Sequence, residues 1–450
     1  MPQRASELAD PPLLATRGHR ISYGALFTSP WPPATDAPAI PGYGAHVDRM
    51  NSQPKQSPRT ILAWMCALIA VNQLGFGAVI PVLPLYAQSF GVPQVAIGAT
   101  IAVYGLARFL LAVPTGQVAD RLGRRNALAI GGALSAFGNL WSALAGSYVE
   151  LVLARFVSGA GAGVVLTAGL IVLADITRAS TRGRTLSIYQ GVFLFAVGIG
   201  PLPGGYLAER FGLEAPFLVY GIASAIVAAI AWFGVAETRD MATTERGEST
   251  PVLPFRRQML TLARNAGFLL VCLMSLTGAA ARTGALFSIV PVIARDRLGL
   301  DPSDIGFGLA LGSVIGLAVT YPAGALVDRY GRKAVIVPTT LLTSLSMLCF
   351  SLAPEYAWFL LACAIWGGAS AASAAAPSAY AADSAPPGLN AAAMSSYRTI
   401  SDIGYVVGPI LLGWLGDAAG LDAPLWTSAA ALLLVTMLFA FIAPETHRNR

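Results

Sequence analysis

Charged side chains lie inside stretches of this sequence that are otherwise apolar. The clearest cases are Arg108, Arg155, Arg282, Arg398 and Asp402. A guanidinium group in such a place can bind an anion, and a carboxylate can take up and release a proton if its surroundings shift its pKa. Because an ionised group in apolar surroundings is costly unless it is paired or hydrated, these residues indicate a functional site.

The composition shows what surrounds these charges. Of the 450 residues, 55% are hydrophobic and 12% are charged, whereas about a quarter of the residues of a typical soluble domain are charged. A helix needs roughly 20 apolar residues to cross about 30 Å of hydrocarbon. Twelve stretches reach that length, at 60–88, 95–118, 126–145, 149–174, 185–209, 214–236, 266–294, 303–326, 333–353, 356–381, 390–416 and 424–443. We therefore predict an all-α membrane protein with twelve spans.

The basic residues predict how these spans are oriented. The loops after spans 2, 4, 6 and 8 hold 14 of the 29 Lys and Arg residues, whereas the odd-numbered loops hold only Arg210, Arg295 and Arg297. Cytoplasmic loops carry the excess of positive charge, so the even-numbered loops and both termini are expected in the cytoplasm, with the protein in the cell membrane. The net charge of +6 then reflects topology, and no nucleic-acid partner is expected.

Several kinds of chemistry have no residues to support them. The four cysteines lie singly inside apolar spans without CxxC spacing, and the three histidines lie outside the spans. Disulfides and metal sites are therefore not expected. The sequence also has no HExxH, P-loop or nucleophile-elbow motif. We predict no cofactor, no metal, no catalytic residues and no enzymatic activity.

The sequence repeats itself at an offset of 208 residues. This offset places Pro114, Gly116, Asp120, Arg121, Gly123, Arg124 and Arg125 on Pro322, Gly324, Asp328, Arg329, Gly331, Arg332 and Lys333. It also places Asp175 on Asp383 and the pair Gly200-Pro201 on Gly408-Pro409. A repeat of this length means that the protein consists of two copies of one six-span unit.

The repeated loop resembles a known signature. Residues 116–125 match the pattern G-x-x-x-D-R-x-G-R-R of the major facilitator superfamily, and residues 324–333 match it almost completely. Leu151-x-x-x-Arg155-Phe156-x-x-Gly159-x-Gly161 resembles the fourth-helix motif of that family, with Ser158 where Gln is common. Gly200-Pro201-x-x-Gly204-Gly205 resembles the fifth-helix motif of its proton-coupled antiporters, and its physical content is a helix kink beside small residues.

The resemblance implies a twelve-helix transporter in two six-helix bundles, with a small molecule bound between them at mid-membrane and alternating access to the two sides. It implies that Asp120, Arg124 and Asp175 form a charge cluster in the gate, with Asp328, Arg332 and Asp383 as its twin. The other gate positions are Gly116, Arg121, Gly123, Arg125, Gly324, Arg329 and Gly331. Gly116 is expected to allow close helix approach and Gly123 a tight reversal. A monomer in the lipid bilayer is expected.

The charges inside the spans that are not repeated at the 208-residue offset are candidates for cargo and ion binding. The residue at the corresponding position in the other half is uncharged in each case. Asp402, four residues from Arg398 on one helix face, is the best candidate for the proton carrier. The alternative is a permanent Arg398–Asp402 pair. The resemblance assigns Arg155 to helix packing or proton coupling. Arg108 fits either the gate or the cavity.

The remaining cavity candidates predict the charge of the cargo. Asn72 and Gln73 stand in span 1 where cation exporters of this family often carry an acidic residue. Four arginines in the spans, Arg108, Arg155, Arg282 and Arg398, outweigh the single carboxylate of Asp402. Tyr405 is a further cavity candidate, as an amphipathic contact. Such a cavity repels cations, so neutral, zwitterionic or anionic solutes are expected.

Two polar segments flank the halves, which occupy 59–236 and 266–444. Residues 1–58 are expected to be a disordered cytoplasmic tail, with translation from Met50 as the alternative. Residues 237–265 are expected to be a cytoplasmic linker with a short helix near Phe255, and 445–450 a cytoplasmic tail.

Three functions remain open from the sequence. The first is proton-coupled efflux of a small organic solute or drug, which depends on the Gly200-Pro201 motif. The second is an uptake symporter or facilitator for a sugar or organic anion. The third is a membrane enzyme or sensor that has kept the shape without transport.

Overall fold

The computed structural model describes residues 56–177, 179–239, 255–373, 376–386 and 389–446. The side chains of Val113, Ala179, Ser180, Phe255, Asp328 and Ala391 fall outside that description. The predicted tail up to residue 55, the alternative start at Met50, most of the linker and residues 447–450 also lie outside the described residues. The first described helix begins at Pro58, after Ser57 accepts a hydrogen bond from the Thr60 backbone N–H.

Twelve long helices match the twelve predicted spans, and they are numbered accordingly. They are α1 (Pro58–Val79), α2 (Gln94–Leu122), α3 (Arg124–Ala143), α4 (Tyr148–Ile176), α5 (Ala179–Ile199 and Pro201–Phe211), α6 (Ala215–Ala229, with a π turn Ile230–Gly234), α7 (Ala266–Ala280, a π segment Ala281–Ile289 and Val290–Asp296), α8 (Pro302–Tyr330), α9 (Arg332–Ser351), α10 (Tyr356–Ala372 and Ala376–Asp383), α11 (Asn390–Ala419) and α12 (Asp422–Ile442). The short helices Leu83–Gln88 and Phe255–Ala263 follow α1 and precede α7.

Eleven of these helices are long and apolar enough to cross a membrane. The exception, α3, buries three polar side chains completely, those of Ser135, Asn139 and Ser142. Asn139 and Ser142 donate to carbonyl oxygens one turn earlier in the same helix. The polar face of α3 is therefore buried inside the protein, where these donors are paired, and the twelve-helix fold predicted from the sequence is confirmed.

The helices pack into two bundles of six. In the first bundle α4 packs on α2 and α3, and α1 packs on α5 and α6. In the second bundle α10 packs on α8 and α9, and α7 packs on α11 and α12. The first core includes Leu68, Leu128 and Val172, whereas the second includes Leu286 and Phe359. Each half therefore has its own apolar interior.

Two glycines make the sharp turns that follow α2 and α8. Gly123 has φ +93° and Gly331 has φ +95°. A side chain would be strained at such angles, so only glycine lets the next helix start at once. These turns present the backbone N–H groups of α3 and α9 to the surrounding carboxylates.

The Gly-Pro motifs lie where helices approach most closely. The helix α5 is divided at Gly200-Pro201, and a Cβ on Gly200 or Gly204 would overlap the backbone of α1. By contrast, α11 continues unbroken through Gly408-Pro409, and Gly408 lies directly against Ala280 of α7. The backbone of Gly200 keeps helical dihedral angles, φ −53° and ψ −40°, so the first copy changes the hydrogen bonding at the prolines without breaking the path of the helix.

The two bundles meet at the end away from the basic loops. A Cβ on Gly98 of α2 would overlap the Pro409 carbonyl of α11, and a Cβ on Gly306 of α8 would overlap the Pro201 carbonyl of α5. Gly205 likewise lies against Pro302. These are the same contacts at the 208-residue offset, so the junction follows the repeat.

The bundles separate toward the basic loops. Apart from the glycine's own helix and chain neighbours, no atom of the described residues lies within 4 Å of a Cβ placed on Gly116, Gly183, Gly191 or Gly324. Gly116 was expected to allow close helix approach, and in this conformation it does not, because α2 diverges from its neighbours there. The space between the halves therefore opens on the basic-loop side.

A matched pair of glycines in α2 tests this junction. Gly98→Ala puts a methyl group into the α11 backbone, and overpacking of this kind typically costs about 1–3 kcal/mol. Gly116→Ala meets nothing and replaces glycine with a better helix former. We expect thermal unfolding in detergent to begin several degrees lower for Gly98→Ala than for Gly116→Ala. Equal melting temperatures would contradict the close contact.

Candidate functional site

The repeated loop of the first half forms a buried charge cluster around Arg124. Its Nε donates to Asp175 at 2.9 Å, and its Nη1 donates to Asp120 at 2.9 Å and to the Ala119 carbonyl at 3.1 Å. The Thr238 hydroxyl also donates to Asp175, at 3.1 Å. The side chains of Arg124 and Asp175 are only 9% and 8% exposed. This geometry links the end of α2, the start of α3 and the end of α4.

A further carboxylate completes this cluster, and sequence reasoning missed it. Glu237, just after α6, accepts the backbone N–H groups of Arg124 at 3.0 Å and Arg125 at 3.3 Å. A carboxylate is stabilised there because the first N–H groups of a helix have no partner within the helix. The 208-residue offset places Glu237 on Glu445, which was the available clue.

The second half repeats this arrangement. Arg332 Nε donates to Asp383 at 3.2 Å, and Glu445 accepts the backbone N–H groups of Arg332 and Lys333 at 3.2 and 3.0 Å. Arg332 and Asp383 are 20% and 39% exposed, so this pair is more open to solvent than its twin. The Asp328 side chain, predicted to join them, lies outside the described residues.

The other predicted gate residues lie at the surface of these clusters. Arg121 and Arg329 are exposed at the ends of α2 and α8. The Arg125 guanidinium lies over the Trp232 ring at 5.1 Å from its centroid. These basic groups therefore flank the clusters without entering them.

Carboxylates also connect the two halves at the opposite end. Asp417 at the end of α11 accepts the backbone N–H groups of Gln94 at 2.7 Å and Val95 at 2.9 Å, which begin α2. At the repeat-related position, Glu209 accepts a hydrogen bond from the Ser303 hydroxyl at the start of α8. Each carboxylate thus lies at the helix start of the other half, where the helix dipole favours a negative charge. The sequence alone did not single out these residues.

An arginine–tyrosine cluster lies where the halves meet at mid-membrane. Arg155 is 2% exposed, and its guanidinium lies over the Tyr104 ring at 4.3 Å from the centroid. Its Nε and Nη1 have no hydrogen-bond partner among the described residues. Tyr405 of α11 lies within the electrostatic reach of Arg108, Arg155 and Arg282. Buried guanidinium donors without partners can bind an anion.

A small cavity adjoins this cluster. Its volume is about 20 Å³, and its lining includes Tyr104 and Arg155 from the first half and Phe287 and Tyr405 from the second. The rings of Phe76 and Tyr104 stack at 5.4 Å. The site is therefore nearly closed in this conformation and belongs to both halves.

Arg398 and Asp402 are close, but they form only a loose pair. Their nearest charged atoms are 4.0 Å apart, and the side chains are 73% and 42% exposed. Asp402 also lies in the field of Arg108. Because the pair is long and open to solvent, it does not hold the Asp402 carboxylate in one fixed arrangement.

Two predicted cavity residues are not in a cavity here. Asn72 and Gln73 are 1% and 4% exposed. The Asn72 amide donates to the Gln73 Oε1 at 3.0 Å. They line none of the described pockets because this turn of α1 packs inside the first bundle. By contrast, Arg282 lines a pocket in the second half and lies 6.0 Å from the Trp366 ring centroid.

The Arg124–Asp175 and Arg332–Asp383 pairs should differ in their contribution to the free energy of unfolding. Asp175→Asn leaves the buried Arg124 with Asp120 as its remaining acidic partner, and breaking a buried pair costs about 3–5 kcal/mol. Asp383→Asn breaks a partly exposed pair, which is usually worth about 0–1 kcal/mol. We expect detergent unfolding titrations to show the larger loss for Asp175→Asn. Equal losses would show that burial does not decide the strength of these pairs.

Removing the carboxylate of Asp417 should loosen the start of α2. Asp417→Ala takes the acceptor from two backbone N–H groups, and loss of a helix cap costs about 1 kcal/mol. We expect the amides of Gln94 and Val95 to exchange with deuterium about fivefold faster by mass spectrometry. The start of α8 serves as the internal control and should not change. Unchanged exchange at α2 would rule out the cap.

Comparison with known proteins identifies the family to which this fold belongs. A model of the Major Facilitator Superfamily matches residues 65–300 and again residues 271–450. An uncharacterized MFS-type transporter of Methanocaldococcus jannaschii is 22% identical over 83% of this chain and 95% of its own length. The Multidrug resistance protein 2 of Bacillus subtilis is 24% identical over 62% of this chain and 69% of its own length.

A solved structure agrees at the level of the fold. A bacterial homologue of the human lysosomal transporter Spinster, in an inward-facing and unoccupied conformation, superposes with a TM-score of 0.70 at 15% identity. The match covers 86% of this chain and 97% of that chain. The two family-model matches together cover both bundles and the duplicated gate clusters. The chain therefore belongs to the Major Facilitator Superfamily of membrane transporters.

Proposed function

We propose that this protein is a proton-coupled exporter of small organic solutes, neutral, zwitterionic or anionic, that works as a monomer in the cell membrane by alternating access. The observation that carries the proposal is the arginine–tyrosine cluster around Tyr405. It lies at the contact between the halves, where a rocking motion changes its exposure most directly.

The charge of the cluster favours the stated cargo. Arg108, Arg155 and Arg282 lie within electrostatic reach of Tyr405, Arg155 and Tyr405 line the same cavity, and Asp402 is the one carboxylate away from the helix ends among the described membrane helices. An excess of positive charge at membrane depth repels cations and attracts groups that can neutralise it. Aromatic rings beside the arginines supply an apolar surface for the rest of the cargo.

Asp402 is the candidate proton carrier. Its carboxylate is partly exposed and lies 4.0 Å from Arg398. A proton can therefore reach it from solvent, and the nearby guanidinium groups make its charge responsive to their movement. Protonation on one side and release on the other would couple its charge to the position of the halves.

The direction of transport is inferred from topology and from a relative. If the basic loops are cytoplasmic, the opening between the halves faces the cytoplasm, where an exporter takes up its cargo. The matched Bacillus subtilis protein is named for multidrug resistance, which is consistent with export. In the other state, the helix surfaces around Gly116 and Gly324 would come together. The Arg124 and Arg332 clusters would keep each half rigid during this movement.

The role of Asp402 can be tested in everted membrane vesicles. The vesicles are acidified by respiration and treated with size-matched zwitterionic, anionic and cationic compounds. Antiport predicts proton release from the vesicle lumen with zwitterionic or anionic compounds and little response to cations. Asp402→Asn should lower this release at least about tenfold, a change of about 1.4 kcal/mol. A coupled response that Asp402→Asn leaves intact would remove this residue from the mechanism.

Asp301→Asn is the matched control, because it removes the same negative charge from an exposed ion pair. Asp301 lies 3.0 Å from Arg295, outside the arginine–tyrosine cluster. This variant should behave like the unaltered protein. In right-side-out vesicles in an acidic medium, solute accumulation together with inward proton movement would instead show an uptake symporter. No proton response to any compound would contradict coupled transport altogether.

A further inference from the structure

A second cavity lies entirely within the second bundle. Its volume is about 270 Å³, and its walls come from α7, α9, α10, α11 and α12. The polar lining includes Arg282, Ser370, Ser373, Tyr397 and Ser401, beside the ring of Trp366. The space is smaller than most drug-sized pockets, which occupy about 300–1,000 Å³. It can hold a small molecule or one end of a larger one.

The cavity has a positive charge and no negative one. Arg282 is its single charged lining residue, and no carboxylate is among the residues that line it. No ion pair or hydrogen bond to Arg282 exists among the described residues, and its closest aromatic neighbour is Trp366 at 6.0 Å. Arg282 is exposed, so an anion can reach its guanidinium, which offers several hydrogen-bond donors. The cavity therefore supplies the conditions for binding a negatively charged group.

The backbone around Arg282 is also unusual. It is the second residue of the π segment Ala281–Ile289, which is nine residues long. Such wide turns are rare, and they occur frequently at functional sites. The same segment is tied to α11, because the Thr283 hydroxyl donates to the Tyr405 carbonyl at 3.2 Å. The helix distortion thus connects the cavity to the cluster between the halves.

The first half does not repeat this cavity. At the 208-residue offset, Arg282, Trp366, Ser370 and Ser401 correspond to Leu74, Ser158, Ala162 and Phe193. Ser158 and Ala162 are buried against their neighbours. Since the charge and the ring occur in one half only, they are not part of the shared scaffold.

We propose that this cavity is a subsite for an aromatic organic acid, whose carboxylate binds the Arg282 guanidinium while its ring lies against Trp366 and Tyr397. A guanidinium presents paired donors that fit a carboxylate, and Trp and Tyr offer flat apolar faces. The Ser370 and Ser401 hydroxyls line the same space and are available to the polar edge of the ligand. The inference deepens the proposed export function and rests on it for the identity of the ligand as cargo.

The subsite is testable without any transport. In a protein whose four cysteines have been replaced, Ser370→Cys places a thiol on the cavity wall. Its reaction rates with anionic sulfonatoethyl and cationic trimethylammonioethyl methanethiosulfonate are compared as a ratio. The same ratio at Ser187→Cys, an exposed site on α5, corrects for the intrinsic reactivities. We expect the corrected ratio to favour the anionic reagent about tenfold, equivalent to about 1.4 kcal/mol.

Companion variants identify the cause. Arg282→Gln should bring the corrected ratio close to one, while Arg282→Lys should keep most of the preference for the anionic reagent. Millimolar benzoate should slow labelling at Ser370→Cys, its neutral isostere benzamide should not, and Trp366→Leu should weaken the protection by benzoate. Retention of the native elution profile and melting temperature shows that each variant is folded.

Other outcomes overturn the subsite. A corrected ratio near one in the protein with Arg282, a ratio unchanged by Arg282→Gln, or equal protection by benzoate and benzamide would each contradict it. The result is independent of proton coupling. Charge-selective labelling in a protein without proton-coupled export would keep the subsite and reject the export function, and the reverse result would do the opposite.

Discussion

The structure depends on backbone contact between the two halves at glycine. Gly98 lies against the Pro409 carbonyl, and Gly306 lies against the Pro201 carbonyl at the repeat-related position. Helices in a membrane gain little from burying apolar groups against each other, so close packing at small residues has to hold them together. Because this packing is concentrated at one end, the other end is free to open. The separation of the halves toward the basic loops follows from that asymmetry.

Each half is in turn held together by its own carboxylates. Glu237 follows the last helix of the first half and caps α3, while Asp175 at the end of α4 holds Arg124. Glu445 and Asp383 do the same in the second half. These contacts stay within a bundle and do not cross between bundles. The bonds that do cross lie at the closed end, where the start of α2 donates to Asp417, Ser303 donates to Glu209 and Gln88 donates to Asp296. If each half moves as a rigid unit, only the hydrogen bonds between the halves would break.

Much of this was predictable from the sequence, and the exceptions have physical reasons. Hydropathy locates helices because the bilayer fixes their length, and the 208-residue offset locates Arg124 and Asp175 because duplication preserves spacing. Glu237 was assigned to the linker because a charge outside a span looks like an ordinary loop charge. Asp417 acts on backbone N–H groups, which leave no trace in the side-chain pattern. Which face of α1 points inward cannot be read from a helix that is apolar on all sides, so Asn72 and Gln73 were placed in a cavity that they do not line.

The glycine junction holds one end of the protein shut, so it must separate when that end opens and the basic-loop end closes. Spin labels at repeat-related positions can follow both ends, with Arg182→Cys and Asn390→Cys at the basic-loop end and Leu144→Cys and Leu352→Cys at the other, all exposed in this structure. Pulsed electron paramagnetic resonance in lipid nanodiscs would measure each pair across a range of pH. Alternating opening of the two ends predicts that the first distance shortens as the second lengthens. Distances that change in the same direction, or independently of one another, would contradict it.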